Sequence, residues 1–281
     1  MAETKPLRIL SLGAGVQSTT VLLMSCKGEL PKLDCAIFAD VGWEPKAVYE
    51  HLNWLKGESA RHGIPTHIVR AGHIKRDALN SRVRGVNEAG ARCASMPYRT
   101  RNHDGTIGML RRQCTVEYKL SPIERFVRRE LLGLRPRQHA PESIVVEKWI
   151  GISTDEAHRM KPSRNAYEVN RWPLIYDKDM DRHGCHVWLK ANYPTREVPR
   201  SSCIGCPYHS DHEWRALRDN SPAEFQEAIE FDKAIRNCGG LRGKVFVHRK
   251  AIPLSDVDLE TLEDKGQINM FGNECEGLCG V

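Results

Sequence analysis

The sequence predicts an α/β fold in which a parallel sheet carries helices on both faces and a cysteine-rich C-terminal extension follows. Three observations predict it. Strand and helix patterns alternate through the first 70 residues, a glycine-rich turn joins the first strand to the first helix, and a Cys-x-x-Cys pair stands at Cys203 and Cys206.

Each element has a local cause. Arg8-Ile9-Leu10-Ser11-Leu12 is a short buried strand that runs into Gly13-Ala14-Gly15, and Ser18-Thr19-Thr20-Val21-Leu22-Leu23-Met24 begins a helix that stops near Gly28. Cys35-Ala36-Ile37-Phe38-Ala39-Asp40 is a second strand. Pro45 opens a helix with Val48, Leu52 and Leu55 at i, i+4 and i+7, which ends near Gly63, and His67-Ile68-Val69-Arg70 is the third strand. This succession implies right-handed crossovers and a sheet covered on both sides, a Rossmann-like three-layer arrangement.

Residues 71–113 are rich in Gly, Asn and Pro and read as a long binding loop. Ser121-Pro122-Ile123-Glu124 reads as a capping box with proline at the first helical position, followed by Ile123, Phe126, Val127 and Leu131 on one face. Ile144-Val145-Val146-Glu147-Lys148-Trp149-Ile150 is a further central strand ending at Gly151. From about Tyr176 the pattern is irregular until Ser221-Pro222-Ala223-Glu224 caps another helix.

At 281 residues and 40% hydrophobic content the chain can bury a full core, and the expected division is a domain over residues 1–175 with an extension and tail over 176–281. No apolar run approaches the ~20 residues that span a bilayer, and the charged start lacks the apolar core of a secretion signal. A soluble cytoplasmic protein without a membrane partner is expected. Ten cysteines at irregular spacing in such a chain argue for reduced thiols and metal ligation rather than a disulfide framework. Cys26, Cys35, Cys93, Cys185 and Cys238 read as small buried hydrophobes.

The net charge of +6 is unevenly spread: between Arg92 and Arg137 there are eleven basic residues against four acids. Such a segment is either a solvated helix face or a contact for phosphate or nucleic acid.

Two groups of residues carry chemistry. After a strand, Gly13, Ala14 and Gly15 keep the turn small enough for phosphate oxygens to approach backbone N–H groups at a helix N-terminus, with Ser18 and Thr19 as hydroxyl donors. The turn lacks both the Gly-Lys-Ser/Thr of a Walker loop and the third glycine of the dinucleotide fingerprint. Cys203 and Cys206 can clamp one metal, and Cys114 adds a thiolate suited to an iron-sulfur cluster. Zinc competes, because Cys203-x-x-Cys206-x-x-His209-x-x-His212 could supply four ligands by itself.

Gly13-Ala14-Gly15-Val16-Gln17-Ser18 resembles the pyrophosphate loop, Ser-Gly-Gly-x-Asp-Ser, of the N-type ATP pyrophosphatases and sulfonucleotide reductases. Phe38-Ala39-Asp40-Val41-Gly42 is similar to the Asp-Thr-Gly segment of phosphoadenosine phosphosulfate reductases. Gly151-Ile152-Ser153-Thr154-Asp155-Glu156-Ala157-His158-Arg159 looks like their Gly-x-Arg-x-x-Glu-Ser-x-x-Arg segment, and Trp172-Pro173-Leu174 like the Pro-Leu that follows. Arg112-Gln113-Cys114-Thr115 through Pro122 resembles the Arg-Cys-Cys-x-x-Arg-Lys-x-x-Pro segment of cluster-bearing adenylyl-sulfate reductases, with Lys119 on the lysine. The tail, Glu274-Cys275-Glu276-Gly277, loosely resembles the Glu-Cys-Gly ending of phosphoadenosine phosphosulfate reductases. Two departures stand out: Gln17 replaces an aspartate that would contact magnesium, and Ser153 replaces an arginine that would hold phosphate or sulfate.

The resemblance implies a nucleotide-binding pyrophosphate-loop domain using Ser11, Gly13, Ala14, Gly15, Gln17, Ser18, Thr19, Asp40 and Gly151. It implies a 4Fe-4S cluster on Cys114, Cys203 and Cys206, with a fourth ligand left open or drawn from Cys275 or Cys279. Cys275, Lys119 and Arg159 are the expected catalytic residues, and Arg112 is a further cation for phosphate or sulfate. The leading expectation is sulfur transfer (thiolation): ATP, with magnesium, activates an acceptor such as tRNA or DNA, and sulfide from the cluster or a persulfide donor displaces AMP. One alternative is an adenylyl- or phosphoadenylyl-sulfate reductase served by thioredoxin. A third is a non-catalytic nucleic-acid-binding protein with a structural cluster or zinc.

Overall fold

The computed structural model describes residues 5–81, 95–237 and 243–260, and every structural statement refers to these. The chain begins β1 (Leu7–Leu12), α1 (Val16–Cys26), β2 (Cys35–Asp40), α2 (Lys46–Arg61), β3 (Thr66–Arg70) and α3 (Ile74–Ser81). After the undescribed residues 82–94 come β4 (Arg99–Arg101), β5 (Ile107–Met109) and α4 (Ser121–Phe126), the last flanked by π turns at Thr115–Leu120 and Val127–Leu131. There follow β6 (Val146–Ile150), a 3-10 turn at Thr154–Arg159, β7 (Glu168–Arg171), α5 (Pro173–Tyr176), α6 (Arg182–Asn192), α7 (Asp211–Asn220), α8 (Pro222–Ile235) and β8 (Lys244–Phe246). No helix among the described residues is long and apolar enough to cross a membrane.

The described residues divide into two compact units, one drawn from within 1–40, 46–71 and 119–201, the other from within 41–45, 72–118 and 202–281. This differs from a single division near residue 175. The reason is strand pairing: β4 hydrogen-bonds β8, so the late segment folds with residues 72–118 and does not stand alone as an extension.

The first unit is the expected three-layer α/β fold, a five-stranded sheet in the order β3-β2-β1-β6-β7 with every pair parallel. Side-chain alternation builds both covering layers. Leu10, Leu12, Ala36 and Phe38 pack with Val21, Leu22, Leu52, Leu55 and Leu189 of α1, α2 and α6. Their neighbours Ile9, Cys35, Ile37 and Ala39 pack with Ile123 and Val127 on the opposite side. From β1 the chain winds outward to β3, then crosses to β6 on the other flank of β1. The carboxyl ends of β1 and β6 therefore form the topological switch point, where a crevice opens in such sheets.

The second unit holds a three-stranded antiparallel sheet, β5-β4-β8, and α3, α7 and α8 around a core that includes Trp43, Tyr98, Trp214 and Phe231. The described part of residues 71–113 is thus not simply loop, since it contains α3 and a hairpin. The stretch after Tyr176 also contains α6 and α7.

The expected capping box at Ser121 is absent. Helical backbone is already established at Leu120, and the Ser121 region makes no side-chain cap bond. Pro122 lies inside the helical run, where it lacks an N–H and crowds the carbonyl four residues back, beside a turn widened to π geometry. α8 does begin with Pro222 at its first turn, but without a side-chain cap from Ser221.

Candidate functional site

The glycine turn lies at the carboxyl end of β1, with its carbonyls committed to the protein. Ser201 Oγ donates to the Gly13 carbonyl, while Ser18 Oγ (3.3 Å) and the Thr19 amide (2.9 Å) donate to Gly15 O. The Gly13 amide in turn donates to Ser18 Oγ at 3.2 Å. Ala14, buried between the glycines, holds a left-handed φ of 55°, a conformation that a non-glycine residue adopts only when its surroundings enforce it. No side chain caps α1 and no acidic residue occupies its first turn, so its leading N–H groups carry an uncompensated positive end. The arrangement suits an anion.

Gly151, at the end of β6, closes the turn from the side. A Cβ there would lie 2.6 Å from Ser18 N and 2.8 Å from Ser18 Cα, so only glycine permits β6 to approach α1 this closely. Two residues on, Ser153 accepts from Gln17 Nε2 at 3.3 Å, and the same nitrogen donates to Glu156 Oε2 at 2.9 Å. Arg159 Nη1 completes the group at 2.5 Å from that carboxylate oxygen. Gln17, Ser153 and Glu156 are all buried. Gln17 and Ser153 therefore meet as a neutral, hydrogen-bonded pair.

The remaining expected residues are placed as follows. Ser11 stands in β1 between Ile37 and Ile150. Ser18 braces the turn from within. Thr19 is fully buried and its hydroxyl meets His51 Nε2 at 3.0 Å. Burial, reinforced by Arg196, pushes His51 down to about 4, so it is neutral at physiological pH. Asp40 ends β2 with its carboxylate held by Tyr49 Oη at 2.9 Å and by Arg70. Lys119 lies in the π turn Thr115–Leu120 and is half-buried. Cys275 and Cys279, with Cys93 and Cys238, lie outside the described residues.

In the second unit the Cys203–Cys206 segment forms consecutive turns, Cys206 N to Cys203 O (3.0 Å) and His209 N to Cys206 O (3.1 Å), anchored by Ile204 N to Trp43 O at 3.1 Å. Gly205 rests on the Trp43 ring, where a Cβ would lie 2.3 Å from a ring carbon. Cys114 and Cys203 both pack against the core that includes Trp43, Tyr98 and Trp214. Among the described residues, however, no three His, Cys, Asp or Glu side chains are gathered closely enough to hold a metal ion. His209 is buried, with Nε2 on Ser202 Oγ at 2.8 Å and its ring against Trp214. The other described cysteines behave as core: burial pushes Cys26 up to about 11 and Cys35 and Cys185 up to about 12.

Ser201 escaped sequence reasoning because a serine in a Ser-Ser pair carries no pattern; only its bond to Gly13 identifies it. No family model and no curated protein matches this chain. Among solved structures, the phosphoadenylyl-sulfate (PAPS) reductase from Candida auris, as a phosphate complex, is similar at 14% identity. The TM-score is 0.42, over 74% of this chain and 81% of that one. A likeness at this level speaks to neither substrate nor residue roles.

Proposed function

We propose that this chain is an enzyme of sulfur chemistry that binds an adenine nucleotide at Gly13–Ser18, and that the nucleotide is adenylyl or phosphoadenylyl sulfate. The observation that carries this reading is the state of Gln17. Its amide is spent on Ser153 and Glu156, Glu156 is neutralised by Arg159, and α1 has no acid in its first turn. The turn thus offers N–H groups to phosphate oxygens and no carboxylate to the magnesium that accompanies ATP. Gly151 and Asp40 complete the nucleotide site in this reading.

In the reaction proposed, a thiolate attacks the substrate sulfur. An S–S bond forms, the S–O bond to phosphate breaks, and the nucleotide leaves with the electron pair. A dithiol of the thioredoxin class then attacks the enzyme-bound sulfonate, releasing sulfite and becoming a disulfide. Cys275 is the proposed nucleophile and Lys119 the cation that stabilises the leaving phosphate, while Arg159, expected to share that role, is committed to Glu156. Sulfite release from phosphoadenylyl sulfate with a dithiol reductant, lost in Cys275→Ala and needing no ATP, is the expected result. Pyrophosphate release from ATP instead would replace this reading.

A second reading, adenylate-dependent sulfur transfer to an acceptor such as tRNA, draws on Cys114 and Cys203, which pack against one core, and on Cys206 one turn beyond Cys203. Three thiols suit an iron-sulfur cluster by donor chemistry, although the described side chains are not gathered as a metal site. Anaerobic purification with iron, sulfide and zinc analysis tests it: about four irons and four sulfides per chain favour a cluster, and stoichiometric zinc or no metal removes it.

A further inference from the structure

We infer that β5 is a docking edge, open to one added strand, and that its occupant is an extended acidic segment of a partner protein. The inference uses none of the residues of the nucleotide reading.

The two edges of the β5-β4-β8 sheet differ. Along β8, Val245 N donates to Arg236 O at 3.1 Å and Arg236 Nη1 donates to Val245 O at 3.2 Å, so the outward backbone groups of Val245 are satisfied. Along β5, no strand among the described residues pairs on the side away from β4. Asn102 N donates to Thr106 O and Leu110 N to Tyr98 O, both at 2.9 Å, which turns residues 106 and 110 towards β4. Antiparallel alternation then directs the N–H and C=O groups of Ile107 and Met109 outward. Their side chains are 52% and 45% exposed. An edge of this kind is a template for pairing, which proteins blunt with charge, proline or a cover, and β5 itself carries neither charge nor proline.

Register sets the chemistry of the occupant. Ile107 and Met109 stand opposite Arg101 and Arg99, which in turn stand opposite Lys244 and Phe246, so all six project from one face, while Val245 on the other face belongs to the core. Three cations therefore lie beside the apolar pair. Arg101 Nη2 donates to an uncharged acceptor, Lys250 O, at 3.2 Å, and Asp104 in the hairpin turn is engaged by Thr106. An added strand sets its outer-face residues against Ile107 and Met109 and about 9.5 Å, two strand spacings, from β4, where a glutamate reaches Arg99 or Arg101. Apolar residues flanked by acids match this pattern. A second copy pairing through β5 would instead merge two cationic faces on chains of net charge +6. Nucleic acid finds no aromatic to stack on, because Phe246 is buried beneath the Arg236 guanidinium, 3.8 Å from its ring centre.

The test is fluorescence anisotropy of a labelled peptide, Glu-Thr-Val-Thr-Val-Thr-Glu, titrated with the full chain. The same peptide with both valine nitrogens methylated, and one with lysine in place of each glutamate, are run beside it. The parent peptide should bind at one saturable site and slow hydrogen exchange at the Ile107 and Met109 amides. Methylation, which removes the pairing donors, and the lysine exchange should each weaken binding about tenfold or more. Arg101→Glu should reverse the preference between the glutamate and lysine peptides, and Met109→Pro, which removes an outward N–H and leaves the bonds to β4, should abolish binding. Circular dichroism establishes that each variant is folded, and the changes made in the peptide test the inference on the wild type if a variant fails. No binding of the parent peptide, or equal binding of its methylated form, would overturn the inference. So would protection of the two amides by self-association, by an oligothymidylate, or already in the free monomer, which would assign the edge to the chain's own undescribed residues.

Discussion

Replacing Gly151 by alanine should disturb the glycine turn more than any other single methyl group on the sheet. The added Cβ would stand 2.6 Å from Ser18 N, 2.8 Å from Ser18 Cα and 3.0 Å from Gln17 C, all of them backbone atoms that cannot rotate away. Since ordinary contact begins at 3.4 Å, β6 and α1 must part by about 0.8 Å. Overpacking of this kind costs about 1–3 kcal/mol, which for a chain of this size lowers the melting temperature by about 2–4 °C per kcal/mol. The displaced residues are those that carry the leading N–H groups of α1, so nucleotide affinity should fall by at least about tenfold, equivalent to ~1.4 kcal/mol. Urea unfolding and titration with adenosine 3′,5′-bisphosphate measure the two effects. Stability within ~0.5 kcal/mol of wild type together with unchanged affinity would refute the close packing of β6 on the turn.

Other outcomes follow from particular side chains. Gln17→Glu sets a carboxylate against Glu156, whose Oε2 is 2.9 Å from the present amide; stability at pH 7 should fall by about 1–3 kcal/mol and recover as the pH approaches 4, measured by urea unfolding across pH. His51 is held down to about 4 by burial, so the unfolded chain binds a proton between pH 6.5 and 4 that the folded chain refuses. Stability is lost as pH falls through that window, and His51→Gln should flatten this part of the profile. Asp232 accepts from Val247 N at 2.8 Å, Leu254 N at 3.1 Å and Arg236, so Asp232→Ala should cost about 3–5 kcal/mol in unfolding experiments; a cost below ~1 kcal/mol would contradict its role as a tie between α8 and the segment after it. Mass spectrometry after iodoacetamide at pH 8 should find Cys35 and Cys185 modified only upon unfolding, whereas equal native labelling of all six described cysteines would contradict their burial.

The sheet was most legible at β2, because Cys35–Asp40 is buried at every position and such a run leaves little choice of structure. Glycine after β1 and after β6 marked the two loops of the switch point. The second unit was much less legible. β4 is Arg99-Thr100-Arg101, three residues with no apolar alternation, and it becomes a strand only because β5 and β8 pair with it from distant parts of the chain. α7 buries only Trp214 outright, so helical periodicity is nearly silent, and its start is set instead by a capping box in which Ser210 and Glu213 bond reciprocally. At Ser121 the same four-residue signature pointed wrongly, because helical backbone arriving from Thr115 had already satisfied the groups a cap would serve. Within the site, the loop residues were visible as a motif, but the contacts that braced them were not. Ser201 reaches Gly13 from 188 positions away, and Gln17 meets Glu156 across 139.

The central claim is that the turn at Gly13–Ser18 takes the phosphates of an adenine nucleotide directly, with no carboxylate at position 17 to recruit a metal. Titration of the full chain with adenosine 3′,5′-bisphosphate and with ATP, each in EDTA and in magnesium, tests it most directly. The account predicts one saturable site for the bisphosphate that survives EDTA. Binding of ATP alone and only with magnesium, or of neither nucleotide, would contradict it.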